Sequence, residues 1–531
     1  MRSNCIWKWS VAAAVSAAFA VPGPAGASLR VTGGATSNVS CVHYVCTATA
    51  AAAVMNVSRL ANMLTKSDVT LISGSAAQDI EFAVNMTWSG SHALTLDSWR
   101  SISIGKIVDV TGTGNLALKT NDGGSGGDLT FPVDYRKSGR RPYPGRIHFW
   151  DLSSGLTINE QSYTLVNSLS TLASLIASQP SGRYALANTI SADILGTAVP
   201  TSFSGIFEGL GNGLTRSNIR TDRSGHKTGI FASIAADGTV RDLHMLSYVF
   251  VHPRAGAEIG AIAAENAGLL QNDIVMFKMS NGAPAMTVGA IAGTNAGTIR
   301  HCRGGFVVSN RQPFEHLGGI AGVNAAGGTI VDAEGNGYFA ALIGGDDSDV
   351  GGIAAINHGA IDQSFSVLPV QIGNRVNGQF ADAAAGGLVG LNQGGPTLGG
   401  PNMATVTNSY AVASVRGGNG TVLGGLIGAS SNGSVETSYT ASFVAGTPTF
   451  GGGLVGDDMA SNTFTNTYWD LSNGISDPTK GAGNVPNDPG ITGLTTAQLQ
   501  SGLPAGFNPA IWGQAPGING GFPYLLANPP D

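Results

Sequence analysis

The chain has 531 residues, of which 78 are glycine and 11% are charged, whereas globular proteins average about 7% glycine and 25% charged residues. Hydrophobic residues make up 42%, which excludes a chain that is disordered for want of core-forming side chains. The net charge of −6 argues against nucleic acid as a partner, because phosphate binding requires a dense basic face. Much Gly, Val, Thr and Asn with little Lys and Glu favours strands joined by tight turns.

Residues 1–27 have the pattern of a signal peptide. Arg2 and Lys8 precede a short apolar run at 11–21, and Ala25-Gly26-Ala27 supplies the small residues that signal peptidase requires. We expect the mature chain to begin near Ser28 and to be secreted or held at the cell surface. Every apolar run is shorter than the roughly 20 residues that a membrane span needs, so the chain is not expected to span a membrane.

Two cysteines are candidates for a disulfide. Cys41 and Cys46 lie five positions apart in the segment that follows the signal, and an oxidising compartment favours their pairing. The alternative is two small buried thiols. Without nearby His pairs these cysteines do not form a metal site, and neither a metal nor another cofactor is expected.

Residues 28–135 are predicted to be a β-rich region, either solenoid or sandwich. Alternation of apolar and polar residues predicts strands at Asp68–Ile72, Ile80–Val84, Leu94–Leu96, Ile102–Ile104 and Leu116–Leu118. Residues 136–160 begin with Arg136, Lys137, Arg140, Arg141 and Arg146 among Gly and Pro, and are predicted to be an exposed basic linker. Residues 161–227 lead into a repeated region.

Residues 228–470 repeat one unit eight times. The unit reads Gly-Gly/Ala-Ile/Leu-Ala/Val/Ile-Gly/Ala, and its copies start at 228, 260, 289, 318, 351, 386, 424 and 452. Matched apolar positions in successive copies indicate stacked coils, each covering the apolar face of the coil below. Glycines such as Gly319 and Gly387 are expected at corners, where a side chain would collide with neighbouring coils. The sequence therefore predicts a parallel β-solenoid.

Two further positions recur in the repeats. Asn266, Asn295, Asn357 and Asn432 are predicted to be turn residues, because Asn tolerates a positive φ. An aromatic residue follows at Phe365, Tyr410, Tyr439 and Tyr468. Stacking between coils that fixes their register is the favoured interpretation of this stripe. A sugar-stacking ladder is the alternative.

Two acidic loops are candidate chemical sites. Asp346-Asp347-Ser348-Asp349 and Asp457-Asp458 follow Gly-rich cores in different repeats, and β-helical polysaccharide hydrolases and lyases use grouped carboxylates. We expect solvated turn residues or an incidental calcium site, and no catalytic residues. Residues 471–531 are predicted to be a Gly/Pro-rich tail or cap with a short helical pattern at Thr495–Gln500.

The repeated Gly-Gly-Leu/Ile-Val/Ala-Gly unit with its following Asn-x-Gly resembles the GLUG motif of bacterial surface adhesins. The run from Ser204 to Gly211 is similar to the segment that precedes such repeats, and residues 57–120 resemble filamentous haemagglutinin-like exoproteins. The resemblance implies an all-β, right-handed parallel β-helix exposed at the cell surface. A large N-terminal secretion domain and a C-terminal barrel are not evident, so the chain shows no clear translocation domain of its own.

The function predicted from the sequence is attachment to host, matrix or other cells, without enzymatic activity. The expected partner is a surface glycan or matrix protein whose identity the sequence does not give. A β-helical polysaccharide hydrolase or lyase is the alternative, and a purely structural matrix component is another.

Overall fold

The computed structural model describes residues 27–133, 145–215, 217–220, 226–279, 282–308, 312–337, 341–376, 383–395 and 403–530. Within them the chain is a parallel β-helix, in which short strands pair with the equivalent strands of the coils before and after. The predicted all-β parallel solenoid is therefore confirmed. Residues 1–26 of the predicted signal peptide lie outside the described residues.

The first coils, up to Ile158, are built from three sheets. One contains, in spatial order, Leu129–Thr130, Ile102–Ile104, Asp79–Phe82, Ser28–Thr32 and Ala52–Asn56. Another contains Arg146–Phe149, Ile107–Val110 and Met86–Trp88. The third contains Val39–Val42, Val45–Ala48, Val69–Ile72, Leu94–Asp97, Leu116–Lys119 and Leu156–Ile158. All five strands predicted here are present, because alternate apolar side chains fill the interior.

The prediction of an exposed basic linker at residues 136–160 is wrong for the part that the structure describes. Of residues 136–160, those up to 144 lie outside the described residues, but Arg146–Phe149 and Leu156–Ile158 are solenoid strands. Ile147 and Phe149 are completely buried, so this part continues the core. The Arg, Gly and Pro residues upstream hid this alternation in the sequence.

Within the described residues, four α-helices interrupt the strands, at Val57–Leu64, Gly74–Ala77, Leu169–Ser178 and Thr496–Leu499. The last lies at the predicted short helical pattern. The sequence analysis missed the longer two, although each has a side-chain N-cap. The Asn56 and Ser168 side chains accept hydrogen bonds from backbone N–H groups inside their helices.

After Ile158 the chain reverses direction, because Leu156–Ile158 pairs antiparallel with Gln161–Val166. From there the strands form four columns that run along the solenoid, named here in the order in which the chain visits them after each Gly corner. The first column contains Thr197–Val199, Lys227–Ile234, Ala263–Asn266, Ala292–Asn295, Ala321–Asn324, Ala354–Asn357, Val389–Gln393, Ile427–Ser431 and Val455–Asp458.

The second column contains Gln161–Val166, Arg183–Leu186, Ile206–Glu208, Thr239–Arg241, Leu269–Gln271, Thr298–Arg300, Thr329–Val331, Ala360–Asp362, Ala404–Thr407, Gly433–Glu436 and Thr463–Thr465. The third contains Ile194–Leu195, Asn218–Arg220, His244–His252, Ile274–Met279, Arg303–Val308, Glu334–Gly335, Phe365–Ser366, Tyr410–Ala411, Tyr439–Thr440, Thr467–Asp470 and Ile491–Leu494.

The fourth column contains Glu258–Gly260, Thr287–Gly289, His316–Gly318, Asp349–Gly351, Ala384–Gly386, Val422–Gly424 and Phe450–Gly452. A small additional sheet contains Leu342–Ile343, Val370–Gln371, Ser414–Gly417 and Phe443–Gly446. A C-terminal hairpin pairs Trp512–Gly513 with Tyr524–Leu525, joined through a 3₁₀ turn at Asn519–Gly521.

The repeated glycines stand at the corner between the fourth and first columns. Gly289, Gly318 and Gly351 are in register on successive coils. A Cβ atom at Gly319 would overlap the carbonyl oxygen of Gly352, and one at Gly387 would overlap that of Gly425. The corner thus excludes any side chain, as the repeat pattern predicts.

The recurring Asn does not have the predicted role. Asn266, Asn295 and Asn357 end first-column strands with a negative φ. Their buried amides form a ladder, in which Asn295 Nδ2 donates to Asn324 Oδ1 and Asn324 Nδ2 donates to Asn357 Oδ1, both at 2.8 Å. Stacking places identical amides one above another, so each satisfies the next. Asn432 does have a positive φ of 52°.

Candidate functional site

The outer face of the third column divides into two halves of different chemistry. Pairing in register puts eight residues in one line along this face: His244, Ile274, Arg303, Glu334, Phe365, Tyr410, Tyr439 and Tyr468. The next residue of each strand, such as Met245 or Val275, lies in the solenoid core. Since side chains alternate along a strand, the eight point outward.

The aromatic half of this line is covered by the C-terminal segment. Phe365 and Tyr410 stack with ring centroids 4.8 Å apart, and Tyr410 and Tyr439 with centroids 5.2 Å apart. Trp512 packs over both tyrosines. The Tyr439 hydroxyl donates to the Pro523 carbonyl at 2.6 Å.

Phe365, Tyr410 and Tyr439 have no exposed surface, so they do not offer a sugar-stacking ladder in this structure. The predicted stacking between coils is confirmed, and the segment 495–525 acts as its cover. The predicted C-terminal tail or cap therefore packs along the side of the solenoid as well as near its last coil.

The polar half of the line forms the floor of an open groove of about 280 Å³. The groove lies between residues 130–133 and the C-terminal Asn528 and Pro529. Its lining includes His244, Ile274, Arg303 and Glu334 from the outward line, with Asp242, Asn272, His301 and Asp332 from the preceding corner. Asn528 closes one end by donating to the Asp332 carbonyl oxygen at 3.2 Å.

The corner beside the groove has an unusual backbone in every coil. Asp242, Asn272, His301 and Asp332 have φ values of 56°, 55°, 51° and 53°. This left-handed conformation costs little for Asp and Asn, and it turns each side chain towards the groove rim. The corner therefore brings one polar side chain per coil to the same edge.

Most of the charged groups in the groove are paired. His301 Nε2 lies 3.2 Å from Asp332 Oδ2, and Arg303 lies 3.4 Å from Glu334 Oε2. Asn272 Nδ2 donates to Asp242 Oδ1 at 3.3 Å. The groove thus combines donors and acceptors with little unbalanced charge.

Burial changes the protonation of several of these groups. Desolvation raises the pKa of Asp332, and the neighbouring His301 partly offsets this. Desolvation also raises the pKa of Asp242 well above its usual value. It lowers the pKa of His244 to about 4, so this imidazole is neutral at pH 7.

His244 is a buried imidazole of the groove floor. It is 6% exposed, and its Nδ1 has no hydrogen-bond partner among the described residues. A buried polar atom without a partner costs free energy.

The acidic loops differ from the solvated turns predicted for them. Asp347 and Asp349 are 3% and 2% exposed, and the Asp347 carboxylate accepts a hydrogen bond from Val376 N at 2.8 Å. Asp346 accepts from Asn374 N at 2.7 Å. Asp457 is 5% exposed and accepts from the Asn484 side chain. Loops of stacked coils need acceptors for their free N–H groups, and these carboxylates supply them.

The predicted cysteine pair lies away from the groove lining. Cys41 and Cys46 face each other across the hairpin of Val39–Val42 and Val45–Ala48 and form a disulfide. Cys302 is a buried thiol at the groove wall. Within the described ranges, no group of three or more His, Cys, Asp or Glu side chains is arranged to hold a metal ion.

Comparisons with known proteins add little to this picture. No protein-family model matches the chain. No curated protein matches it. Among solved structures the chain is similar to one described as IgA1 Protease, with a TM-score of 0.29 and 16% sequence identity, covering 69% of this chain and 25% of that one. The chain thus spans about a quarter of that protein's length. Among the described helices none is long and apolar enough to cross a membrane.

The sequence analysis missed every residue of the groove. Asp242, Asn272, His301 and Asp332 each follow a second-column strand directly. An alignment of the repeats on that strand would have shown one polar residue per coil at this place. Because the residue type changes from copy to copy, a search for one repeated motif did not detect it.

Proposed function

We propose that this chain is an exported, non-enzymatic attachment protein of the adhesin type, with the β-helix as a rigid scaffold and the groove as its contact site. The observation that carries the proposal is the open groove itself. It presents ion pairs, amides and imidazoles along several coils, whereas the aromatic half of the same outward line is covered. Binding sites in proteins are commonly concave and carry a few placed polar groups.

The acidic loops support a role without catalysis there. The carboxylates of these loops accept hydrogen bonds from backbone N–H groups and an amide side chain, and those of Asp347, Asp349 and Asp457 are buried. Groups held in this way stabilise the coil stack. They are not presented to a substrate.

The ladders support a role as a stiff scaffold. The amides of Asn266, Asn295, Asn324 and Asn357 link successive coils through buried hydrogen bonds. Because each coil contacts mainly its neighbours, such bonds distribute stiffness along the whole axis.

The test is attachment of the purified chain 28–531 to surfaces coated with glycans or matrix proteins. We expect saturable binding that Asp332→Asn weakens and Asp349→Asn leaves unchanged, since both aspartates pair with a histidine but only Asp332 lines the groove. Absence of saturable binding to every surface would contradict the proposal.

Export is tested separately on material recovered outside the cytoplasm. We expect an N-terminus near Ser28, and Cys41 and Cys46 joined so that neither reacts with a thiol reagent. A retained N-terminal segment or two free thiols would contradict export by a signal peptide.

One observation favours a second candidate, a glycan-cleaving enzyme. Asp332, whose pKa burial raises, lies at the groove rim, two residues from Glu334 on the floor. A protonated carboxyl beside a second carboxylate is the arrangement that glycoside hydrolases use. Release of reducing ends from polysaccharides by the wild-type chain, lost in both Asp332→Asn and Glu334→Gln, would establish this candidate instead.

A further inference from the structure

We infer that the groove binds one or two rings of an uncharged glycan, which names the ligand class for the attachment function proposed above and rests on that proposal. The polyhydroxylated ring is recognised by the side chains of Asn272, His301 and Asp332 at the rim and of His244 at the floor.

The size of the groove fits a short saccharide. Its volume of about 280 Å³ is just below the range of roughly 300–1,000 Å³ found for small-molecule pockets. The four rim residues from Asp242 to Asp332 belong to four successive coils, which span about 14 Å at roughly 4.8 Å per coil. A site of this length and volume holds one or two sugar rings of a longer chain.

The charge pattern selects against charged ligands. The two cationic or titratable donors, His301 and Arg303, are each paired with a carboxylate of the same groove. Burial raises the pKa of Asp242 well above its usual value, and the buried His244 is neutral at pH 7. A polyanion would meet the carboxylates of Asp332 and Glu334, and a polycation would meet Arg303.

The polar groups match hydroxyls. Hydroxyl groups donate and accept at once, so they satisfy carboxylate oxygens and amide N–H groups side by side. His244 and Asp332 line the cavity beside the half-exposed Asn272 and His301, so the hydroxyls of a ring would meet imidazole, carboxylate and amide groups together.

The remaining lining is apolar and suits the C–H faces of a sugar ring. Phe131, Pro132 and Pro529 form the side walls, and Ile274 interrupts the polar floor. Binding pockets generally combine an apolar lining with a few placed polar groups.

The test measures binding of the full mature chain to soluble disaccharides by saturation-transfer NMR and calorimetry. The probes are maltose, cellobiose, lactose and N,N′-diacetylchitobiose, with digalacturonic acid and a chitosan dimer as charged comparisons. We expect at least one neutral disaccharide to bind, and neither charged probe to bind more tightly. Binding of the charged probes alone, or of none, would overturn the inference.

A matched pair of variants locates the site. His301→Gln removes a groove imidazole and should weaken binding of the neutral disaccharide about tenfold, the loss expected for one hydrogen bond. His316→Gln removes an equally exposed histidine, which is paired with Asp349 outside the groove, and should have no effect. Equal losses in both variants would overturn the inference.

A second pair covers the case in which His301→Gln does not fold. Asn272 and Asn408 both have a positive φ, and both donate to an aspartate, Asp242 and Asp362 respectively. Glycine suits this backbone, so Asn272→Gly and Asn408→Gly should both fold. Only Asn272→Gly should weaken binding of the disaccharide, and unchanged binding in this variant would overturn the inference.

Surface attachment measured in parallel separates the two proposals. Attachment that persists in His301→Gln and Asn272→Gly, with no disaccharide bound, means that the groove inference fails while the attachment function stands. Disaccharide binding without attachment to any coated surface means that the attachment function fails while the groove inference stands.

Discussion

The open and covered halves of the third column share one backbone and differ in side-chain chemistry. The strand pairing runs in register from His244 to Tyr468, yet one half is a groove and the other a buried aromatic stack. Phe365 and the tyrosines attract an apolar cover because large exposed apolar patches are unfavourable. Arg303 and Glu334 do not attract one. In a solenoid, the residue at a single repeated position therefore decides where a surface remains open.

Removing residues 495–531 should have the largest effect. It would expose Phe365, Tyr410 and Tyr439, and each fully buried aromatic contributes roughly 1.5–3 kcal/mol. We expect a loss of roughly 5 kcal/mol or more in the free energy of unfolding and strong binding of the dye ANS. Deleting only residues 529–531 is the control, and equal melting temperatures for both deletions would show that the cover contributes nothing.

Valine at the corner glycines tests whether both halves use the same corner. Gly319 belongs to the open half and Gly387 to the covered half, and at each a Cβ atom would overlap a carbonyl of the next coil. Overpacking typically costs about 1–3 kcal/mol, and a clash with backbone should reach the upper end in both variants. Gly33→Ala, where a Cβ meets nothing within 4 Å, should be neutral in the same chemical denaturation series. Neutral valine variants would contradict the corner geometry.

The repeats specify the coils, while the two halves of the face depend on contacts that the repeats do not contain. Glycine and apolar positions recur in every copy, so the columns follow from local pattern. Asn528 contacts Asp332, 196 residues earlier in the chain, and the repeat pattern does not indicate such a contact. The roles of the buried Asp347 and Asp457 were also hidden, because an aspartate in a Gly-rich loop has the same sequence appearance whether it is solvated or accepts hydrogen bonds.

The open half should make the free energy of unfolding depend on pH, whereas the covered half should not. The pKa of His244 falls from 6.5 to about 4 on folding, so the unfolded chain binds the proton first as the pH falls. The free energy of unfolding therefore contains the full contribution of the neutral His244 above pH 6.5, and this contribution is lost as the pH falls from 6.5 to 4. At about 1.4 kcal/mol per pKa unit, the loss is at most about 3 kcal/mol.

The comparison variant is His244→Phe, which carries the side chain found at Phe365 in the covered half. The difference in melting temperature between wild type and variant should change across this pH window and stay constant above it. A constant difference from pH 4 to 8 would contradict the burial of a neutral imidazole.

Asn324→Ala should have the smallest of these effects. It removes two ladder hydrogen bonds, one donated by Asn295 Nδ2 and one accepted by Asn357 Oδ1. Unsatisfied buried polar groups cost about 1–3 kcal/mol, so we expect about 2 kcal/mol by urea denaturation. A neutral Asn324→Ala would show that the ladder does not contribute to stability.

Hydroxyl-radical footprinting of the intact mature chain tests the division of the face most directly. We predict slow oxidation of Phe365, Tyr410 and Tyr439, and fast oxidation of His301, whose side chain is 33% exposed. Trp150, which is 62% exposed, sets the scale for a fully accessible ring. Oxidation of the three aromatic residues at the rate of Trp150, or protection of His301 in the free chain, would contradict a face that is covered in one half and open in the other.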